Sequence, residues 1–407
     1  MNTSTSTTIS GQIRAASSPM VLHLGAGFFF GVRMCLTFLF FQNDPRLGTE
    51  FSMTLSLILL CAAFLYSYGD AKSGRVPLLH LPLLGWILLY LAWSGASLLW
   101  TGAASRVIAA AYWSAMAADV FTVIFLLHVD DAEESIAALM KGFVVAALVV
   151  AAVAWGAPRM DDMRLGNEEF LHPNGLGLEF GVAIFLAQHV ARRNGRWHIA
   201  ALALAVTLLR TISKTSILAF AVAQCFYLLR EKRISRRARI AIGVVLIVAA
   251  GCFWALYSQY LGGYADAGNQ AETLTGRTAI WEVSLVMIPE HLWVGHGIYS
   301  FRALIPAFGV FEPWHAHNEL LQQLFEYGVV GALVALAIYF NLFLLARRRL
   351  ANPYSLLIAA LLLFALIRGL ADTVNFGLSF PLWLMTVFAL AGASRTHGNS
   401  NAVGGRP

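Results

Sequence analysis

Arg210 stands in the run LLRTISKTSILAF, one helical turn before Lys214. A guanidinium at membrane depth costs about 2.5–3.5 kcal/mol on insertion scales, so its place in an apolar run needs a reason. The planar fork suits phosphate oxygens bidentately. A snorkelling side chain that ends a span is the other reading. Arg277 follows Gly276 at the head of TAIWEVSLVMI, a stretch with helical apolar spacing. Phosphates bind at helix N-termini, where amides and dipole point outward; pairing with Glu272 or Glu282 is the structural alternative. His317, followed by Asn318 and Glu319, opens an apolar run. An imidazole there is either a polar end group or a general base, and Asn318 is placed to orient its ring. His315 and His317 share the spacing of a zinc pair. No cysteine or clear carboxylate accompanies them locally, so no metal is expected. His172-Pro173-Asn174 fits a helix start with proline in the first turn. Arg164 lies in the polar stretch before it.

These residues must be positioned by a membrane protein. The chain has 407 residues, 58% hydrophobic and 12% charged, with a net charge of +6. Ordinary soluble domains carry about twice that fraction of charge. The basic residues gather in alternate loops, so the positive balance speaks for topology and not for nucleic acid. The cysteines Cys35, Cys61, Cys225 and Cys252 lie in apolar runs without a CxxC pair and read as small core hydrophobes.

The expected fold is all-α, a polytopic bundle of about 12 transmembrane helices with one long periplasmic loop containing short helices. Residues 1–19 read as a disordered cytoplasmic tail, 20–257 as nine spans, 258–316 as the periplasmic catalytic loop, 317–394 as three further spans, and 395–407 as a second disordered cytoplasmic tail. The basic loops around Lys72, Arg192, Arg236 and Arg347 fall on the inner side of this scheme. The outer side collects Arg164, the HPN segment, Arg210, Lys214, Arg277, His317, and Arg368 with Asp372. Arg33, Asp119 and Glu179 lie inside spans, where such groups usually face the interior and pair. Trp281, Trp293, Tyr299 and Trp314 in the loop suit the membrane interface or sugar faces.

Several motifs in this order resemble one family. HPNGLG, RTISKTS, GRTAIW, WVGHGIYSF and HNELLQQLFEYG are together similar to the O-antigen ligase and O-antigen polymerase superfamily, which includes exopolysaccharide polymerases. The resemblance covers about 170–330 by motif. It implies a metal-independent inner-membrane glycosyltransferase with its active site facing the periplasm. Such an enzyme takes a glycan from undecaprenyl pyrophosphate and joins it to an acceptor hydroxyl, on a glycan or on lipid A-core. By motif, Arg210 and Arg277 would hold the pyrophosphate and His317 would serve the acceptor hydroxyl. Ile212-Ser213-Lys214 departs from a more compact pattern, which leaves Arg210 and Lys214 both open for the phosphate. Arg164, His172, Asn174, Asn318 and Trp281 complete the expected substrate-binding set, and no cofactor is expected. The HPN and SKTS segments look somewhat like the exopolysaccharide polymerase branch.

Two other classes fit an apolar chain of this length. A transporter or flippase of lipid-linked sugars would also need many spans, but no internal repeat or paired broken spans are evident. A non-catalytic membrane scaffold leaves the outer arginines unexplained.

Overall fold

The computed structural model describes residues 6–41, 45–69, 81–129, 132–157, 164–166, 171–232, 235–252, 254, 258, 274–308, 312–347, 353–374 and 377–391. Among them the regular structure is helical, with no β-strand. Apolar runs bounded by Pro, Gly and polar turns give α1 (Ser6–Phe40), α2 (Pro45–Gly69), α3 (Pro82–Ala96), α4 (Arg106–Val129) and α5 (Ala132–Gly156). They continue as α6 (Pro173–Ala191), α7 (Trp197–Arg210), α8 (Lys214–Arg230) and α9 (Arg236–Cys252). After the long loop's helix α10 (Leu274–Met287) come α11 (Glu319–Arg347), α12 (Ser355–Gly369) and α13 (Leu382–Ala391).

Among the described residues, five helices are long and apolar enough to cross a membrane: Leu47–Tyr68, Pro82–Leu99, Arg106–His128, Glu133–Gly156 and Glu319–Arg347. Met20–Arg33, Trp197–Arg210, Ser355–Gly369 and Leu382–Ala391 are shorter apolar helices. Large side chains such as Leu65, Ile199, Leu229, Leu333 and Phe340 stand exposed on the outside of the bundle, as hydrocarbon-facing surface would. Every residue of α13 is buried, so this helix is apolar on all sides, as a helix enclosed by others must be. It lies among α3, α4 and α5, while α1 packs along α5 and α8 along α12.

The boundaries differ from expectation in two informative places. α10 begins at Leu274, so Gly276 and Arg277 lie within its first turn and not ahead of it. α1 begins at Ser6, inside the stretch expected to be a disordered tail; the helix of the first span continues beyond the apolar residues that start at Met20. Residues 395–407 and most of 258–273 lie outside the described residues.

The two ends of the bundle have different chemistry. At one end Arg192 pairs with Glu231 and donates to the Pro353 carbonyl at 3.3 Å, and Arg193 pairs with Glu133. These contacts join the basic turns that were expected to share a side. The opposite end gathers the turns that carry the candidate site.

A backbone staple fixes the long loop to that end. The α11 helix is kinked at Gly328 (φ 65°, ψ −169°), a conformation open essentially to glycine alone. The kink frees carbonyls and amides that pair with the loop: His296 N–H donates to the Phe325 carbonyl, Gly297 N–H to that of Glu326, and Val329 N–H to that of Leu292. A Cβ at Gly328 would sit 2.4 Å from the Trp293 carbonyl carbon. Gly328→Ala should therefore cost about 1–3 kcal/mol for the backbone conformation alone. A thermal unfolding curve of purified protein should show a lower midpoint; an unchanged midpoint would mean that the staple does not hold the loop.

Candidate functional site

The site end is built from five turns. They precede α6, join α7 to α8, run from α10 to α11, and follow α3 and α12. Among the described residues, three non-glycine residues with left-handed backbone fall on these turns: Ile212 (φ 53°), Tyr299 (φ 65°) and His317 (φ 51°). A β-branched residue such as Ile212 is a true outlier there. Conformations of this kind cost about 1–3 kcal/mol each and persist where the surroundings over-determine them, often at functional sites.

His317 is held from both sides. Its backbone N–H donates to His315 Nδ1 at 3.2 Å, and the two rings lie 4.1 Å apart. Trp281 of α10 donates its indole N–H to the Ala316 carbonyl at 2.8 Å, which docks α10 against the His317 turn. Among the described residues no ion pair or side-chain hydrogen bond engages Arg277; Glu282 does not neutralise it.

Asp372 faces the imidazole. Its Oδ1 lies 3.3 Å from His317 Nδ1. An ionised carboxylate only accepts, so Nδ1 carries the proton and Nε2 presents its lone pair. Arg368, one helical turn earlier, donates from Nη2 to Asp372 Oδ2 at 2.7 Å. Both side chains are almost wholly buried, 2% and 1% exposed. Burial alone would raise the Asp372 pKa, but the Arg368 guanidinium and the His317 hydrogen bond outweigh it and hold the carboxyl well below its usual range.

From Arg368 the network continues to the HPN and SKTS segments. Arg368 Nε donates to Ser216 Oγ and Nη2 to the Asn174 carbonyl, each at 3.4 Å. Asn174 Oδ1 accepts from Arg164 Nη2 and from Ser213 Oγ, both at 2.9 Å. Ser213 and Ser216 hydroxyls lie 3.0 Å apart. The second glycine of HPNGLG makes this meeting possible, because a Cβ at Gly177 would stand 2.7 Å from the Ser216 side chain. His172 is the N-cap of α6 and accepts from Asn174 N–H at 3.3 Å. Burial, followed by the Arg164 charge, lowers its pKa to about 4, so it is neutral at pH 7. Burial and the neighbouring His317 also lower His315.

The structure thus brings together Arg164, His172, Asn174 and His317 from distant parts of the chain, and places Trp281 against the residue before His317. Arg210 ends α7 with its guanidinium 5.9 Å from the Trp155 ring, and Lys214 starts α8 on an exposed face. The guanidiniums of Arg164 and Arg368 are hydrogen-bonded within the network. Asn318 caps α11 through Leu321 N–H at 3.1 Å and donates to the Leu370 carbonyl at 3.0 Å. The group against the imidazole is Asp372, where the sequence suggested Asn318.

His315, His317 and Asp372 each offer a donor atom within 4.8 Å of the others. This supplies the carboxylate that the local sequence lacked for a metal pair. The Arg368 guanidinium already neutralises that carboxylate, which works against an added cation. Chemically the arrangement offers a base with a free Nε2, an ionised carboxylate behind it, and several guanidiniums suited to an anion.

With this geometry in hand, comparison with known proteins is informative. Residues 199–336 match the family model described as O-antigen ligase. The chain is also 34% identical over 98 residues to an O-antigen ligase of Pseudomonas aeruginosa. Both similarities are to the O-antigen ligase superfamily. The alignment with that relative spans about a quarter of each protein, 24% of both. The family segment runs from α7 to beyond the α11 kink and includes Arg210, Lys214, Arg277, Trp281, His317 and Asn318. Arg164, His172 and Asn174 precede it, and Arg368 and Asp372 follow it. The O-antigen ligase segment therefore supplies the imidazole, and flanking parts of the chain supply its carboxylate partner.

Proposed function

We propose that the protein is a membrane glycosyltransferase of the O-antigen ligase type. In this reading it moves a glycan from undecaprenyl pyrophosphate to an acceptor hydroxyl, on lipid A-core, at the periplasmic face of the bacterial inner membrane. About twelve crossings place the site end outside and both termini in the cytoplasm. The observation that carries the proposal is the His317–Asp372 contact at 3.3 Å beside the hydrogen-bonded guanidiniums of Arg368 and Arg164. The family and the relative are both described as O-antigen ligase, which supports this reading.

The acceptor hydroxyl attacks the anomeric carbon of the donor sugar. Its proton passes to His317 Nε2, the bond from that carbon to the phosphate oxygen breaks, and the lipid pyrophosphate leaves with the electron pair. Asp372 steadies the imidazolium that forms. Arg277 and Arg210 or Lys214 take the developing charge of the pyrophosphate, with Arg164 adding positive potential. Arg368 Nη1 is buried with no hydrogen-bond partner among the described residues, a donor that suits an anion or water nearby. Held this way, pyrophosphate is a sufficient leaving group without a metal. His172, neutral at pH 7, and Asn174 shape the donor side, while Asn318 and Trp281 fix the turn that carries His317.

Arg277→Lys keeps the charge and loses the fork. Transfer should fall about 10²–10³-fold if one such contact is removed. Near-normal transfer by Arg277→Ala at equal protein level would remove Arg277 from the pyrophosphate site. Arg210→Ala and Lys214→Ala, compared in one assay, identify which of the two holds the phosphate: the weaker enzyme marks the residue.

The function is tested in a deletion strain. Its lipopolysaccharide should run on a gel without the O-antigen ladder, and the intact gene should restore it. A normal ladder with altered length of a secreted polymer would point to a polymerase. Topology is checked by reporter fusions at Arg236 and Gln270, expected cytoplasmic and periplasmic respectively; a cytoplasmic Gln270 would overturn the scheme.

A further inference from the structure

A cavity of about 560 Å³ opens beside the His317 turn, and the mechanism above makes no use of it. Its walls are legible as helix faces. Thr49, Ser52, Met53 and Ser56 of α2 line it at i, i+3, i+4 and i+7. Tyr112, Ala115, Met116 and Asp119 of α4 line it with the same spacing. Arg33 of α1 enters from the third side and binds Asp119 Oδ2 at 2.6 Å. Toward the site end the cavity is bounded by Tyr299, by Trp314, three residues before His317, and by Val374, two residues after Asp372.

We infer that this cavity is a saccharide subsite, and that it receives the acceptor glycan of the proposed transfer; this rests on the transferase reading above. Among the described residues lining the cavity the charged groups are Arg33 and Asp119, an ion pair that is neutral in sum and offers no net charge to a pyrophosphate or a free cation. Asp119 is 5% exposed, yet its Oδ1 has no hydrogen-bond partner among the described residues, and neither has the buried Ser52 Oγ. Buried polar atoms of native proteins are nearly always satisfied. An acceptor and a hydroxyl among the residues lining one cavity match the hydroxyls of a neutral sugar. The aromatic faces of Tyr112, Tyr299 and Trp314 match its C–H faces. An ion pair at membrane depth is itself expensive and marks function more often than structure. The cavity's contact with the residues flanking His317 and Asp372 puts it on the side of the base, hence of the acceptor.

The subsite is tested on the full chain in nanodiscs carrying Ala115→Cys, with labelling by N-ethylmaleimide followed at that peptide by mass spectrometry. Submicellar octyl maltoside should slow labelling about tenfold at saturation, while octyl phosphate and octanol should not. Equal slowing by all three would show an apolar void that takes alkyl tails, and no slowing by the maltoside would also overturn the proposal. In the transfer assay Ala115→Phe, which fills the cavity without removing a charge, should raise the acceptor KM about tenfold, roughly the loss of one or two hydrogen bonds, and leave the donor KM unchanged. A raised donor KM instead would assign the saccharide to the donor and overturn the acceptor assignment. If the native protein transfers nothing, the transferase reading fails, while the labelling result still decides whether a saccharide binds.

Discussion

Replacing His317 by alanine is expected to lower glycan transfer about 10²–10⁴-fold, the usual worth of general-base help, while the lipid-linked donor still binds. The imidazole sits in a strained turn with φ 51° and has Nδ1 committed to Asp372, so Nε2 is the atom open to a substrate proton. His317→Gln separates two roles. Glutamine still hydrogen-bonds an acceptor hydroxyl but takes no proton, so it should be nearly as slow as the alanine variant if proton transfer matters. Substantial activity in His317→Gln would leave only positioning. Loss of donor binding in His317→Ala would move the residue to the pyrophosphate site.

Asp372→Asn is expected to be comparably severe, about 10³–10⁴-fold, by analogy with the loss of a tautomer-fixing aspartate in other histidine-dependent enzymes. The amide of asparagine can donate to Nδ1, which forces the proton onto Nε2 and blocks the base. The same change leaves Arg368, 2% exposed, without its carboxylate, and an unpaired buried charge costs about 3–5 kcal/mol. The double variant Arg368→Gln with Asp372→Asn removes that charge. It should recover folding, seen as a monodisperse elution profile, without recovering activity. Recovery of activity in the double variant would show that the pair serves stability alone. Because the Asp372 pKa is held below its ordinary value, the carboxylate's contribution to stability is complete above about pH 4 and is lost only as pH falls through the lower folded value. An unfolding scan from pH 8 to pH 5 should show no loss traceable to this group.

Much of the helical layout was legible because apolar runs and their polar breaks are local. Within the stretch 20–257 read as spans, the polar breaks at Arg192–Arg196 and Thr211–Ser213 separate α6, α7 and α8. The helix read from Thr278 starts at Leu274 instead, since a glycine in the first turn does not mark a boundary by itself. The polar motifs that meet at the candidate site were visible in the sequence: HPN supplies Asn174, SKTS supplies Ser213 and Ser216, and HNE supplies His317. Their meeting point was not. Asp372 lies 55 residues from His317, and nothing local to the HxH pair announces a carboxylate that reaches it across the bundle. The available clue was the Arg368–Asp372 spacing of one helical turn at the end of an apolar run. The pairing of Arg33 with Asp119 is of the same kind. Each was conspicuous at membrane depth, but only packing of α1 near α4 decides the partner.

The most direct test uses purified protein in nanodiscs with undecaprenyl-pyrophosphate-linked glycan and lipid A-core acceptor, with product followed on a gel, in the presence and absence of chelator. The account predicts a shifted acceptor band with the native protein, unchanged by chelator, and none with His317→Ala at equal donor binding. A band of full intensity with His317→Ala would contradict it, and a band lost with chelator would instead make His315, His317 and Asp372 a metal site.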